Sequence, residues 1–251
     1  MSIIIYFVIF AISTLTTSLS SAIIITMKTI KIALVSSLLL SVIFTLLVCF
    51  VDVRPEGLIG TDIGLAGLNL TISHLLGKNM IFFTIADILG WICIAICVFY
   101  GYLGARQLFA KKSLYRVDTP ILLLGATYIV TIILYILFDQ VFVINYRPIF
   151  IGADLESSFP SSHTLLALVV AATSVVTMRY YSRKSSFEKY ADKIKIINIV
   201  TIVLGALTIV ARILSGAHWF TDIIGSIFFA ATIVIVYTYL LRLTDHASRR
   251  R

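Results

Sequence analysis

Six apolar runs constrain the fold of this 251-residue chain more than any other feature of its sequence. A helix needs about 20 apolar residues to cross the ~30 Å hydrocarbon core of a bilayer. Lipid offers no hydrogen-bond partner to an open backbone, so such segments are expected to span as helices. The runs lie near residues 31–51, 82–104, 119–141, 161–181, 196–214 and 221–241. We predict an all-α, polytopic membrane helix bundle with six core transmembrane helices, formed by residues 27–251 as one domain.

A further apolar stretch, rich in Ser and Thr, occupies residues 1–26. It lacks the basic start that a secretory signal peptide has. Two interpretations stay open. The stretch forms an extra N-terminal transmembrane helix with its N-terminus outside, or it lies upstream of a true start at Met27.

Basic residues are distributed unequally between the two ends of the predicted bundle. With six spans, sixteen of the 20 Lys and Arg residues fall on one side, and the other side keeps Arg54, Lys78, Arg147 and Arg212. The positive-inside rule assigns the basic side to the cytoplasm. Orientation therefore explains the net charge of +8, and no nucleic-acid partner is expected. We predict a multi-pass protein of the plasma (inner) membrane whose functional end faces the extracytoplasmic side.

The longest outer segment covers residues 52–80. Its leucine and isoleucine residues keep a helical spacing at Leu65, Leu68, Ile72 and Leu75. This pattern predicts a short helix that lies in the membrane interface.

Polar and ionisable side chains gather at the outer end of the predicted spans, where such groups are costly and usually functional. Several have a structural alternative: Arg147 as a snorkelling arginine, Ser161 as a helix cap, His163 as a satisfied interfacial histidine and Asp222 as an N-terminal helix charge. Their coincidence on one face favours a site. The candidates are Gln140, Arg147, Ser161, Ser162, His163, Arg212, His218 and Asp222.

Three of these candidates suit nucleophilic and acid–base chemistry. His218 and Asp222 are four residues apart, which places them on one face of a helix. The carboxylate can then fix one imidazole nitrogen by a hydrogen bond and leave the other free as a nucleophile. His163 can supply a proton to a departing alkoxide.

The other candidates suit an anion. Arg147 and Arg212 offer planar forks that match phosphate oxygens. Ser161 and Ser162 stand at the start of a predicted helix, whose N-terminus attracts negative charge. Taken with the histidines, the residue types favour phosphoryl transfer, in which positioning and charge stabilisation dominate.

The segments that carry these residues resemble the type-2 phosphatidic acid phosphatase superfamily. The family motifs are Lys-x6-Arg-Pro, Pro-Ser-Gly-His and Ser-Arg-x5-His-x3-Asp. The chain reads Gln140-x6-Arg147-Pro148, Pro160-Ser161-Ser162-His163 and Ala211-Arg212-x5-His218-x3-Asp222. The resemblance covers about residues 119–240 and implies a six-helix bundle that acts on lipid phosphates or polyprenyl diphosphates, with no cofactor and no metal.

The resemblance also implies a role for each residue. His218 would attack phosphorus and form a phosphohistidine, Asp222 would orient His218, and His163 would protonate the leaving group. Water would then hydrolyse the intermediate. The phosphate oxygens would be held by Arg147, Arg212 and Ser161.

The chain departs from the family pattern at three positions. Gln140 replaces lysine, Ser162 replaces glycine and Ala211 replaces serine. Loss of one charge-assisted hydrogen bond costs on the order of 1–3 kcal/mol. Lys78, on the same side of the membrane, is a possible substitute for the absent lysine.

The leading hypothesis is a membrane phosphatase that removes phosphate from a lipid substrate at the outer membrane face. Two alternatives stay open. A phosphotransferase would pass the phosphate from the histidine to another acceptor. A non-catalytic protein would only bind a lipid phosphate.

Overall fold

The computed structural model describes residues 27–249, so both interpretations of residues 1–26 fall outside the described residues. The described part is helical, and its longest connection is the loop of residues 142–161. Its helices are α1 (Met27–Phe50), α2 (Ala66–Leu76), α3 (Met80–Lys111), α4 (Thr119–Ile136), α5 (Ser162–Ser182), α6 (Ala191–Ser215) and α7 (Phe220–Arg249). A π-helical turn, Leu137–Val141, continues α4.

The six predicted spans are confirmed. All helices except α2 are long and apolar enough to cross a membrane. The largest differences in length are in α3, which runs on to Lys111, and in α7, which runs on to Arg249. Arginine, glutamine and lysine are good helix formers, and water satisfies their side chains outside the lipid. Hydropathy therefore marks the part of a helix that lies in the bilayer, and the helix continues beyond it.

Helix α2 occupies the place of the short helix that the spacing of residues 65–76 predicts. It packs against the start of α7. Its location at the membrane interface stays a prediction.

Helix α5 forms the centre of the bundle and packs against α3, α4, α6 and α7. It is the least apolar of the six spans and the most buried. Small and hydroxylated residues such as Ala167, Ala172 and Thr173 allow its neighbours to approach closely. The lipid-facing surfaces belong to the surrounding helices, which explains why those sequences are more hydrophobic.

The loop of residues 142–161 and the turn of residues 216–219 meet at one end of the bundle. The indole N–H of Trp219 donates a hydrogen bond to the carbonyl of Tyr146 over 2.7 Å. The side-chain oxygen of Asn145 accepts a hydrogen bond from the backbone N–H of Gly64 over 3.1 Å. These bonds join three segments that are distant in sequence into one rigid end.

Gly216 makes the sharp turn from α6 into α7 possible. Its φ of +64° is in the left-handed region, where a side chain is unfavourable. A Cβ at this position would also lie 2.6 Å from the carbonyl oxygen of Gly77. The turn places the end of α6 and the start of α7 at the same level of the bundle.

Candidate active site

A polar cavity of about 530 Å³ lies between the end of α4, the loop of residues 142–161 and the turn before α7. Four of the predicted site residues line it: Gln140, Arg147, Ser162 and His218. The cavity is thus made of three segments that meet only after folding.

His218 lies in the turn before α7 and is buried. Its Nδ1 lies 3.0 Å from the carbonyl oxygen of Ser158, so Nδ1 carries the hydrogen and donates it. Its Nε2 is buried and has no hydrogen-bond partner among residues 27–249. Burial, helped by the positive charges of Arg147 and Arg212, lowers the pKa of His218 well below its usual 6.5. The ring is therefore neutral at pH 7 with a free lone pair on Nε2.

The contact between His218 and Asp222 differs from the expected hydrogen bond. His218 precedes the first residue of α7, and its Nδ1 lies 3.8 Å from Oδ2 of Asp222. Oδ2 instead accepts a hydrogen bond from the backbone N–H of Trp219 over 2.8 Å. This bond is one half of a capping box, in which a carboxylate three residues into the helix accepts from the backbone N–H of the cap residue. Asp222 therefore fixes the start of α7. The turn that holds the imidazole of His218 comes directly before this helix start.

Asp222 has a second partner, which the sequence analysis did not identify. Its Oδ1 accepts a hydrogen bond from the side-chain amide of Asn145 over 3.1 Å. Asn145 and Asp222 are both fully buried. The amide ties the loop that carries Arg147 to the helix start that carries His218.

Arg147 lies in the loop between α4 and α5. Its Nε is 2.9 Å from Oε2 of Glu156 in an ion pair. The backbone N–H of Arg147 donates to the carbonyl of Glu156 over 3.0 Å. The guanidinium is held against its own loop in this way, and its Nη1 is buried without a hydrogen-bond partner in the described part of the chain.

A second cavity, of about 510 Å³, adjoins the first and is mainly apolar. Arg147, Glu156 and Ser162 line both cavities, together with Tyr135. The second cavity lies against α3, α4 and α5, and its lining includes Phe83, Asp87, Gly90, Trp91, Ile94, Ile132, His163, Leu166 and Arg212. His163 and Arg212 thus line the second cavity, His218 lines the first, and Arg147 lines both.

Asp87 on α3 links two of the predicted residues. Its Oδ1 lies 2.6 Å from Nη2 of Arg212 and 3.3 Å from Nε2 of His163. Arg212 is completely buried, and the ring of Phe83 lies 5.0 Å from its guanidinium carbon. Nε and Nη1 of Arg212 have no hydrogen-bond partner within the described residues.

Three side chains with a predicted role in holding phosphate have protein partners in this structure. Ser161 is fully buried outside both cavity linings, and its hydroxyl bonds to the hydroxyl of Thr164 over 3.0 Å. Gln140 lines the polar cavity, but its amide donates to Asp139. The ammonium of Lys78 donates a hydrogen bond over 2.9 Å to the carbonyl of Pro148, the residue after Arg147. The role of each in holding phosphate stays a prediction.

The arrangement favours an anion with several oxygen atoms. Nη1 of Arg147, Nε and Nη1 of Arg212, and Nε2 of His218 are all buried and unpartnered among the residues that the structure describes. Buried polar groups normally have partners, so these unpaired N–H groups and the free nitrogen of His218 suit a ligand that brings several oxygen atoms. A phosphoryl group could bring oxygen atoms to the arginines and its phosphorus to Nε2.

The sequence analysis missed Asp87, Glu156, Asn145 and the carbonyl of Ser158. A signal existed for Asp87, since it is the one charged residue within the predicted span 82–104. Nothing in the sequence marks the other three, because they lie in a loop whose path is set by packing.

Metal ligands do not gather within residues 27–249. No group of three or more His, Cys, Asp or Glu side chains there could hold a metal ion. Metal independence stays a prediction.

Comparison with known proteins gives a family and a fold. The sequence model of the PAP2 superfamily matches residues 70–244, which include every predicted site residue. Among curated protein sequences, no significant match to this chain is found.

One solved structure is similar over most of its length. It is a transmembrane PAP2-type phosphatidylglycerolphosphate phosphatase from Bacillus subtilis, known from a crystal structure. The two chains share 17% identity with a TM-score of 0.55, over 85% of this chain and 96% of that one. At this identity the similarity shows a common fold.

Proposed function

We propose that this chain, which belongs to the PAP2 superfamily, is an integral membrane phosphatase that removes phosphate from a lipid through a phosphohistidine at His218. The observation that carries the proposal is the state of Nε2 of His218. This nitrogen is buried, unprotonated and without a hydrogen-bond partner among the described residues, and it lines a polar cavity.

The first chemical step uses the free lone pair. Nε2 of His218 attacks phosphorus, and the bond between phosphorus and the ester oxygen breaks. Negative charge on the other phosphate oxygens is held by Arg147 and Arg212, whose unpaired N–H groups are already in place. Donors that are fixed before the reaction need no reorganisation in the transition state.

The ester oxygen leaves as an alkoxide and needs a proton. His163 can supply it, since it lines the adjoining apolar cavity where a lipid tail would lie. In the second step water attacks the phosphohistidine, neutral His163 takes the proton of the water, and the bond between phosphorus and Nε2 breaks. Phosphate and the free imidazole of His218 result.

In the proposed complex the lipid tail lies in the apolar cavity. Trp91, Ile94 and Ile132 line it, and Trp91 is 70% exposed on the surface of α3. A tail could enter from the bilayer between α3 and α4 without crossing water. The proposed substrate is accordingly a membrane lipid with a terminal phosphate.

The proposed location is the outer face of the plasma membrane. The site lies at the end of the bundle where the sequence places four of its basic residues, whereas sixteen lie at the other end. The positive-inside rule then assigns the site to the extracytoplasmic side.

The test is phosphate release by the purified protein in detergent, with a panel of lipid monophosphates and diphosphates. His218→Gln is expected to lower kcat by on the order of 10⁴-fold or more, because the nucleophile is lost. Wild-type protein quenched during turnover of ³²P-labelled lipid should carry an acid-labile, alkali-stable label.

His74→Gln is the matched control, since His74 is an exposed histidine on α2 that lines neither of the two cavities. It should keep wild-type turnover. Undiminished turnover in His218→Gln, or a label that persists there, would refute the assignment of the nucleophile.

A further inference from the structure

Asp87 is a carboxylate inside a membrane-spanning helix, at the point where the apolar cavity meets the polar residues of the site. Ionisable groups at such depth are expensive and usually functional. Its side chain is 36% exposed, so it faces the cavity and is not sealed behind Arg212. The family motifs on which the proposed reaction rests do not include this position.

Asp87 contacts two groups of the proposed reaction through one oxygen atom. Oδ1 lies 2.6 Å from Nη2 of Arg212 and 3.3 Å from Nε2 of His163. The ring of His163 is also confined by the backbone of α3, since a Cβ at Gly90 would lie 2.6 Å from its Cδ2. Oδ1 of Asp87 therefore faces Nε2, where it can accept a hydrogen bond when that nitrogen carries the hydrogen.

Charges around the two cavities limit which phosphate fits. In the described part of the chain, the permanent cations that line them are Arg147 and Arg212. The carboxylates that line them are Asp87, Asp139 and Glu156. The two arginines keep unpaired N–H groups for the oxygen atoms of one phosphate, and no further cation in the lining serves a second phosphate group.

We infer that Asp87 makes this site selective for lipid phosphomonoesters over lipid diphosphates; this inference rests on the proposed phosphatase function. In a monoester, the electron pair of the broken bond goes to an alkoxide, which must take the proton from Nε2 of His163. Asp87 positions that proton. In a diphosphate, the leaving group is itself a phosphate monoester, which departs as an anion without needing a proton.

The positions of His163 and Asp87 also favour a monoester over a diphosphate. His163 and Asp87 both line the apolar cavity, so the leaving group lies on their side of Arg147. The second phosphate of a diphosphate would approach the carboxylate of Asp87, and like charges repel. A monoester places an uncharged carbon chain there instead.

The experiment compares three substrates in detergent: farnesyl phosphate, farnesyl diphosphate and 4-nitrophenyl phosphate. The first two share a tail. The third is a monoester whose leaving group needs no proton. The proteins are wild type, Asp87→Asn, Asp87→Glu and, as a matched loss of one negative charge, Asp62→Asn at an exposed loop position.

Wild type is expected to favour farnesyl phosphate over farnesyl diphosphate by at least about tenfold in kcat/KM, since a missing charge-assisted contact is worth roughly that factor. Asp87→Asn should lower kcat for farnesyl phosphate by about 10²-fold, the usual contribution of a positioned general acid. Its kcat for the other two substrates should fall by a clearly smaller factor, because Arg212 also loses its carboxylate partner. Asp87→Glu should retain part of the selectivity, and Asp62→Asn should match wild type.

An equal fall on all three substrates in Asp87→Asn would overturn the inference, because it would mean that Asp87 only supports Arg212. A preference of the wild-type protein for farnesyl diphosphate would also overturn the inference. This second test does not depend on the variant, so it applies even if Asp87→Asn fails to fold. In both cases the proposed phosphatase function would stand. Absence of turnover by wild type on every lipid phosphate would remove the function and this inference together.

Discussion

The two histidines of the proposed site differ in what their ring nitrogens contact. Nδ1 of His218 donates to the carbonyl of Ser158, so Nε2 is left with a lone pair. Nε2 of His163 faces the carboxylate of Asp87. In the proposed reaction, the contact with a neutral carbonyl suits the nucleophile and the contact with a carboxylate suits the acid.

At the residue scale we predict that His218 stays neutral well below pH 6.5. Burial and two neighbouring arginines lower the pKa of His218 in the folded protein. In the unfolded chain the same imidazole is protonated near pH 6.5. Folding therefore loses stability through this group as the pH falls below about 6.5. The measurement is NMR of ¹³C-labelled histidine in detergent, with the His218 signal identified by its loss in His218→Gln. A midpoint at or above pH 6.5 for that signal would contradict the account.

At the scale of elements, α3 contributes to the site through a close approach to α5. Gly90 leaves room for the ring of His163, which lies at the start of α5. The same helix carries Asp87 almost one turn earlier, so one face of α3 both confines the ring and offers it a carboxylate. Packing between two spans thus sets the geometry of the proposed acid.

We predict that Gly90→Ala lowers kcat for a lipid monophosphate by about 10- to 100-fold, since displacement of a catalytic group by about 1 Å can cost that much. Gly101→Ala is the matched control on the same helix, because a Cβ there meets nothing within 4 Å. Both substitutions improve helix propensity by about 1 kcal/mol. Turnover and the Tm are measured together. Equal turnover in the two variants would show that the approach of Gly90 to His163 is unimportant.

At the scale of the whole molecule, one hydroxyl-rich helix is surrounded by more apolar ones. Because α5 contacts four other spans, its surface is hidden from lipid and can carry polar residues at low cost. The outer helices carry the hydrophobic surface instead. The excess of basic residues at one end then orients the assembly in the membrane.

We predict that the site end is outside the cell. A cysteine at Asp62 should react with a membrane-impermeant maleimide in intact cells, whereas a cysteine at Ser186 should react only after lysis. The background carries alanine at the three native cysteines, Cys49, Cys93 and Cys97. Both positions are exposed and lie at opposite ends of the bundle. The reverse labelling pattern would place the site in the cytoplasm.

The sequence by itself determined the six spans, the helix in the segment of residues 52–80 and the family. The hydropathy of a segment depends only on its own residues. The thickness of the bilayer then sets how many apolar residues a spanning helix needs. The motif residues were identifiable for a similar reason, since Arg147, His163 and His218 keep fixed spacings to their neighbours in the chain.

Only the tertiary structure decided the partners of those residues. Asp87 meets Arg212 across 125 positions of the chain, and the carbonyl of Ser158 meets His218 across 60. Contacts of this kind depend on which faces of the helices pack together, and no local pattern encodes that choice. Which nitrogen of each histidine is free, and which charges surround it, therefore became known only from the packed bundle.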